Sequence, residues 1–270
     1  MRPIQATGLA LALVAACAAS GALADERAER LMKTVKEATA RVSSLQAEVE
    51  LSNGGTRLTG TMVLKRPNLA RIEVQGEQGQ TVVSDGKTLY RFAPAFNEYQ
   101  KSAPGATGAN IGALWLHQAR GFFRWEAMFP SISGTTTTYL GKQQVEGAAF
   151  EVLQLTIPGE PQVQVKYFIS PKDHLVHRMV QSYTSDGREV KLSSALKNVR
   201  INAPVQAARF KWMPPATARL AEEPDFEKNL LAVGKLAPDF DLSRPGGGRL
   251  ALSDAVKGKK ATLVNFWFYN

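Results

Sequence analysis

The sequence predicts a mainly β protein built on one large antiparallel sheet, apolar on a single face, with helices or a ligand needed to cover that face. Three observations predict it. Period-two runs recur between Leu58 and Leu196, short turn signals separate them, and two segments, 29–45 and 105–130, replace the alternation with helical spacing. The chain has 270 residues, of which 44% are hydrophobic and 21% charged. That is enough apolar material for a substantial core, and it excludes intrinsic disorder and collagen-like repetition.

From Glu29 to Leu45 the apolar residues Leu31, Val35, Ala38, Val42 and Leu45 fall on one stripe of a helix, with Lys33, Lys36, Glu37 and Arg41 on the other side. Strands follow. Leu58, Met62 and Leu64 alternate with Thr59, Thr61 and Val63, and Ile72 and Val74 alternate with Arg71 and Glu73. Asn53-Gly54-Gly55, Arg66-Pro67-Asn68, Gly76 to Gly79 and Asp85-Gly86 supply residues that tolerate positive φ or fix it through proline, so they read as tight antiparallel turns. The meander runs on through Thr88 to Phe92.

Between Gly105 and Pro130 an aromatic-rich segment reads as two short helices interrupted at Gly121. Strands resume over 135–139, 150–157, 163–169, 175–183 and 190–196, with Asp186-Gly187 as a hairpin turn. Such a sheet curls under its own twist, and its apolar concave side must be covered. The first helix and the 105–130 segment are the available covers. After Met213-Pro214-Pro215 the composition shifts to a linker, and a new pattern begins at Leu231. The expected organisation is a leader over 1–24, a half-barrel domain over 25–220, a linker over 221–230 and a second unit over 231–270.

Arg2, the apolar run from Leu9 to Ala24 and the polar start at Asp25 form a secretory signal. Cleavage after Ala22-Leu23-Ala24 is one reading. Val14-Ala15-Ala16-Cys17 offers another, a bacterial lipobox that would make Cys17 a lipidated first residue. Both end in the periplasm, as a secreted protein or as a membrane-tethered lipoprotein. No later stretch has the roughly 18 apolar residues needed to span a bilayer. Cys17 is the only cysteine, so a CxxC pair, an internal disulfide and a thiolate zinc site are excluded. The formal charge is +9, but the densest basic cluster is only Lys257, Lys259 and Lys260, which argues against a nucleic-acid footprint. His174 and His177 read as strand residues on opposite faces, so no metal, no cofactor and no catalytic dyad is expected.

The runs Val63-Leu64-Lys65-Arg66-Pro67-Asn68-Leu69, Val82 to Tyr90 and Phe210-Lys211-Trp212-Met213-Pro214-Pro215 resemble, in order and spacing, the periplasmic outer-membrane lipoprotein carrier family (LolA-like). The resemblance covers about residues 27–220 and implies an unclosed antiparallel β-barrel with a helical lid. It implies that Arg66 hydrogen-bonds the lid, and that Trp115, Phe122, Phe123 and Trp125 belong to the lid. Met62, Leu64, Ile72 and Val74 would wall the cavity. The implied partner is an apolar ligand such as a lipid or lipoprotein acyl chain, with envelope proteins as further partners. Membrane contact would come only through cargo or an acylated N-terminus.

Gly234 to Phe240, Leu250 to Leu252, Gly258-Lys259-Lys260 and Leu263 to Phe268 resemble the start of redoxin and TlpA-type thioredoxin-like domains. That implies an N-terminal fragment of such a domain, and a chain truncated from a longer fusion. The expected function is a periplasmic acyl-chain binding protein. The alternative is the accessory domain of an envelope thiol-disulfide or peroxide oxidoreductase, whose cysteines would lie beyond Asn270. A third reading is a sensor or scaffold whose barrel binds a partner protein.

Overall fold

The computed structural model describes residues 26–53, 55–105, 117–221, 234–244, 247–260 and 262. The chain divides into two units, Met1–Ala221 and Glu222–Asn270. The proposed leader, with Cys17, lies outside the described residues, as does the Leu263 to Phe268 run of the redoxin-like segment.

The first unit opens with helix α1, residues 26–41. Its buried stripe is Ala28, Leu31 and Val35. The helix is shorter than its spacing predicts, because Leu45 belongs to the first strand. The break is made by Asn202, whose side-chain oxygen accepts from the Ser43 N–H at 2.7 Å and the Ser43 hydroxyl at 2.9 Å. Leu45 packs in the cluster of Val42 and Ala38, which is why a helical count runs through it.

Strands β1 (Ser44–Asn53), β2 (Thr56–Lys65), β3 (Leu69–Gln75), β4 (Gln80–Asp85), β5 (Leu89–Ala93) and β6 (Glu98–Ser102) form an antiparallel meander. Helix α2 (His117–Phe123) and a 3-10 turn (Trp125–Ala127) follow. A second meander then runs through β7 (Thr136–Val145), β8 (Ala148–Ile157), β9 (Val163–Ile169), β10 (Val176–Ser185) and β11 (Arg188–Ile201). Strand β1 pairs with β11 and joins the two halves, while β12 (Arg219–Leu220) adds in parallel to β6. The order is β12-β6-β5-β4-β3-β2-β1-β11-β10-β9-β8-β7, so the sheet ends in two edges and does not close. This is a mainly β, unclosed antiparallel barrel with few helices.

Inward residues alternate along each central strand, as at Leu45, Ala47, Val49 and Leu51 of β1. Two packed clusters share the inner face. One joins Val42, Phe122 and Phe123 to Met62, Leu64, Ile72 and Val74. The other joins Leu31 and Val35 to Met128, Phe129, Leu153, Tyr167 and Met179. The β4–β5 turn is set by Asp85, whose carboxylate accepts from the Lys87 and Thr88 N–H groups at 2.8 and 2.7 Å. Gly86 follows it at φ +92°, a region costly for a residue with a Cβ.

The second unit contains the hairpin of β13 (Asp241–Ser243) and β14 (Arg249–Ala251) and the short helix α3 (Leu252–Val256). The Asp239 carboxylate accepts from the Ser253 N–H at 2.9 Å and the Ser253 hydroxyl at 2.7 Å, and Arg249 grips Asp241 across the hairpin.

Candidate functional site

Arg66 sits at the end of β2, beside the end of α1. Its Nε donates to the Val42 carbonyl at 3.0 Å and a terminal nitrogen donates to the Thr39 carbonyl at 3.2 Å. These oxygens flank the C-terminus of α1, where carbonyls lose their helical partners. The guanidinium carbon also lies 4.6 Å from the centroid of the Phe122 ring on α2. One side chain therefore touches both α1 and α2.

Helix α2 has a second attachment. Gln118 donates from Nε2 to the Ser194 carbonyl at 3.2 Å, and the Ser194 hydroxyl donates back to Oε1 at 2.7 Å. Both residues are buried. Two polar groups that would each cost free energy alone satisfy one another against the middle of β11. The sequence reading missed this pair. Its trace is a serine at an inward position between Leu192 and Leu196.

Beside α2, on the inner face of the central strands, lies a cavity of about 430 Å³. Leu51, Leu58, Met179 and Leu192 form its apolar wall. Asn53, Gln78, Gln181 and His117 supply neutral hydrogen-bonding groups. Among the described residues, no Asp, Glu, Lys or Arg lines it. His117, the first residue of α2, is held below its ordinary pKa by burial and then by the charge of Arg120, against the opposing pull of the Ala127 carbonyl. It therefore remains neutral near pH 7 and keeps the wall uncharged.

Phe122 and Phe123 pack edge to face at 4.9 Å in the covered core. Trp125 stacks on Phe129 at 4.3 Å, and Phe129 meets Tyr167 at the same separation, so Trp125 belongs to the other cluster. Tyr167 donates its hydroxyl to the Met128 carbonyl, which ties the 3-10 turn to β9. Trp115 lies outside the described residues. Met62, Leu64, Ile72 and Val74 are buried in the packed cluster beneath Phe122 and Phe123, and none lines this cavity. This cavity lies toward the β1–β2 hairpin, while those four residues pack under the aromatic rings of α2.

His174 is a turn residue at φ +56°, not a strand residue. His177 Nε2 instead lies 2.8 Å from Asp173 Oδ2. Burial alone would raise the Asp173 pKa, but His177, the Leu175 N–H and Ser170 hold it below the usual carboxylate value. The cluster staples the β9–β10 turn. Among the described residues, no group of three His, Cys, Asp or Glu is placed to hold a metal ion.

Residues 26–222 match the model of the family described as "Predicted periplasmic protein (DUF2092)". An uncharacterized protein of Methanocaldococcus jannaschii is 24% identical over 216 residues, covering 78% of this chain and 59% of that protein. The outer-membrane lipoprotein carrier protein of Azotobacter vinelandii is 34% identical over 82 residues, 29% of this chain and 40% of its own. The chain thus spans about half the length of these curated relatives. The crystal structure of the Mycobacterium tuberculosis lipoprotein LppX aligns at a TM-score of 0.43 and 13% identity, covering 68% of this chain and 99% of that one.

Proposed function

The chain belongs to the DUF2092 family of predicted periplasmic proteins, and from that premise we propose that it is a periplasmic binding protein that takes an acyl chain of a lipid or lipoprotein into the cavity beside α2. The observation that carries this reading is the uncharged, largely apolar wall of Leu51, Leu58, Met179 and Leu192. The named lipoprotein carrier among its relatives supports the same cargo class. The volume falls in the range of about 300–1,000 Å³ that small ligands use. Each buried methylene contributes roughly 0.8 kcal/mol, so ten of them gross about 8 kcal/mol, a micromolar scale before ordering costs.

Arg66, Phe122 and Phe123 act as the lid in this proposal, with Trp125 bracing it from the neighbouring cluster. A lid held closed lowers apparent affinity by the fraction of molecules that are open, which lets a carrier release its cargo. The redoxin-like segment adds no chemistry to this reading, because residues 26–270 contain no cysteine and thiol exchange needs a thiolate.

The test is titration of delipidated protein with a fluorescent fatty-acid probe. Leu192→Trp fills the cavity from a half-buried position and is expected to weaken the probe by about tenfold or more while the urea midpoint holds. Equal affinity in the wild type and Leu192→Trp would remove the cavity as the binding site.

A further inference from the structure

The outer face of the sheet carries a second feature, remote in character from the cavity. Trp212 packs over Tyr90, Phe92 and Tyr99, with ring centroids 5.2, 5.8 and 6.3 Å away. Phe92 and Tyr99 are cross-strand partners, one pair before the β5–β6 turn that carries Phe96. Leu220 pairs with Tyr99 from the other side. The segment is fixed there: Arg71 donates to the carbonyls of Arg209 and Lys211, and the Asn97 side chain donates to the Thr217 carbonyl. On this rigid base Phe96, Met213 and Leu220 are 71%, 85% and 51% exposed. Three large apolar side chains are therefore exposed on the segments that frame the Trp212 platform: the turn after β5, the residue after Trp212 and β12.

Basic groups outnumber acidic ones around these residues. Segments 90–101 and 209–220 contain Lys101, Arg209, Lys211 and Arg219 as exposed cations, and Glu98 is their only carboxylate. Arg219 takes up that carboxylate at 2.9 Å. Phe96, Met213 and the Trp212 platform ringed by lysine and arginine match the chemistry of a surface that inserts apolar tips among anionic headgroups.

We propose that this patch docks the protein onto an anionic phospholipid bilayer, with Phe96 and Met213 entering the interface and Lys101, Lys211 and Arg209 facing the headgroups. The occupant is a membrane rather than a protein because the apolar tips are few and projecting, and exposed cations outnumber the carboxylates beside them. The proposal does not depend on the cavity being a ligand site.

The test is co-sedimentation of the purified protein with vesicles of phosphatidylglycerol and phosphatidylethanolamine, against vesicles of phosphatidylcholine. Preferential binding to the anionic vesicles is expected, falling as salt rises. The double variant Phe96→Ser/Met213→Ser, made at exposed positions, is expected to bind at least about tenfold more weakly. Lys101→Glu/Lys211→Glu is expected to lose binding and its salt dependence together. Lys191→Glu, an exposed change on β11, is expected to bind like the wild type, which separates the patch from net charge alone. Absence of vesicle binding, or equal binding by the wild type and the Phe96→Ser/Met213→Ser variant, overturns the proposal. So does a dimer that the double variant converts to monomer while vesicles are ignored, since the patch would then serve a second copy of the chain.

Discussion

Arg66 is the residue at which sequence and geometry meet most directly. Its fork reaches the Thr39 and Val42 carbonyls and its face lies on Phe122. Arg66→Leu would leave both carbonyls short of a charged donor. Hydrogen bonds to charged groups are worth about 1.5–3 kcal/mol each, and partial exposure here reduces the sum to roughly 2–3 kcal/mol. The urea midpoint is expected to fall accordingly, with faster uptake of a fatty-acid probe as α2 loosens. Arg66→Lys keeps a charge but not the planar fork, so it is expected to fall between the two. A midpoint within about 0.5 kcal/mol of wild type for Arg66→Leu would mean that water serves those carbonyls equally well. Gln118 and Ser194 carry a comparable attachment, yet neither was readable beforehand: a buried amide and a buried hydroxyl declare themselves only once the strand register brings them together.

At the scale of elements, Gly121 shows how a local rule misleads. Glycine in helical spacing predicts an interruption, but Gly121 lies inside α2. A Cβ there would come within 2.6 Å of the Met128 Cβ, so the glycine lets the helix and the following turn approach closely. Gly121→Ala gains intrinsic helix propensity of about 1 kcal/mol, but overpacking at such a contact costs about 1–3 kcal/mol, and Met128 is held by Tyr167. Net destabilisation, with α2 displaced from the sheet, is expected in thermal unfolding; a stabilised variant would show that the Met128 segment yields freely. The period-two strands were readable because each has one buried face. Strand β1 was partly hidden, since its inward Leu45 also continued the helical count, and β6, Glu98–Ser102, lacks apolar alternation altogether. Met62, Leu64, Ile72 and Val74 face inward and pack beneath the rings of α2; sequence spacing says nothing about which stretch of an inner face a helix will occupy.

Among the described residues of the first unit, the sheet offers more inner surface than the helices fill. Helices α1 and α2 with the 3-10 turn cover two clusters, and the central strands keep a space of about 430 Å³ toward the β1–β2 hairpin. An apolar chain that enters this space buries its own surface against Leu51, Leu58, Met179 and Leu192, so its occupation stabilises the folded state. Because the unfolded chain offers no such site, fatty acid at about a hundred times its Kd should add roughly 2.7 kcal/mol. In a domain of 150–250 residues each kcal/mol moves Tm by about 2–4 °C, so a rise of roughly 5–10 °C is expected by differential scanning calorimetry. Leu192→Trp supplies the missing contacts from the protein itself and should respond little to the same addition. If delipidated protein melts at one temperature with and without fatty acid, or if Leu192→Trp shifts as far as the wild type, the space is a structural gap in a sheet wider than its cover, and the stabilising occupant must be sought elsewhere.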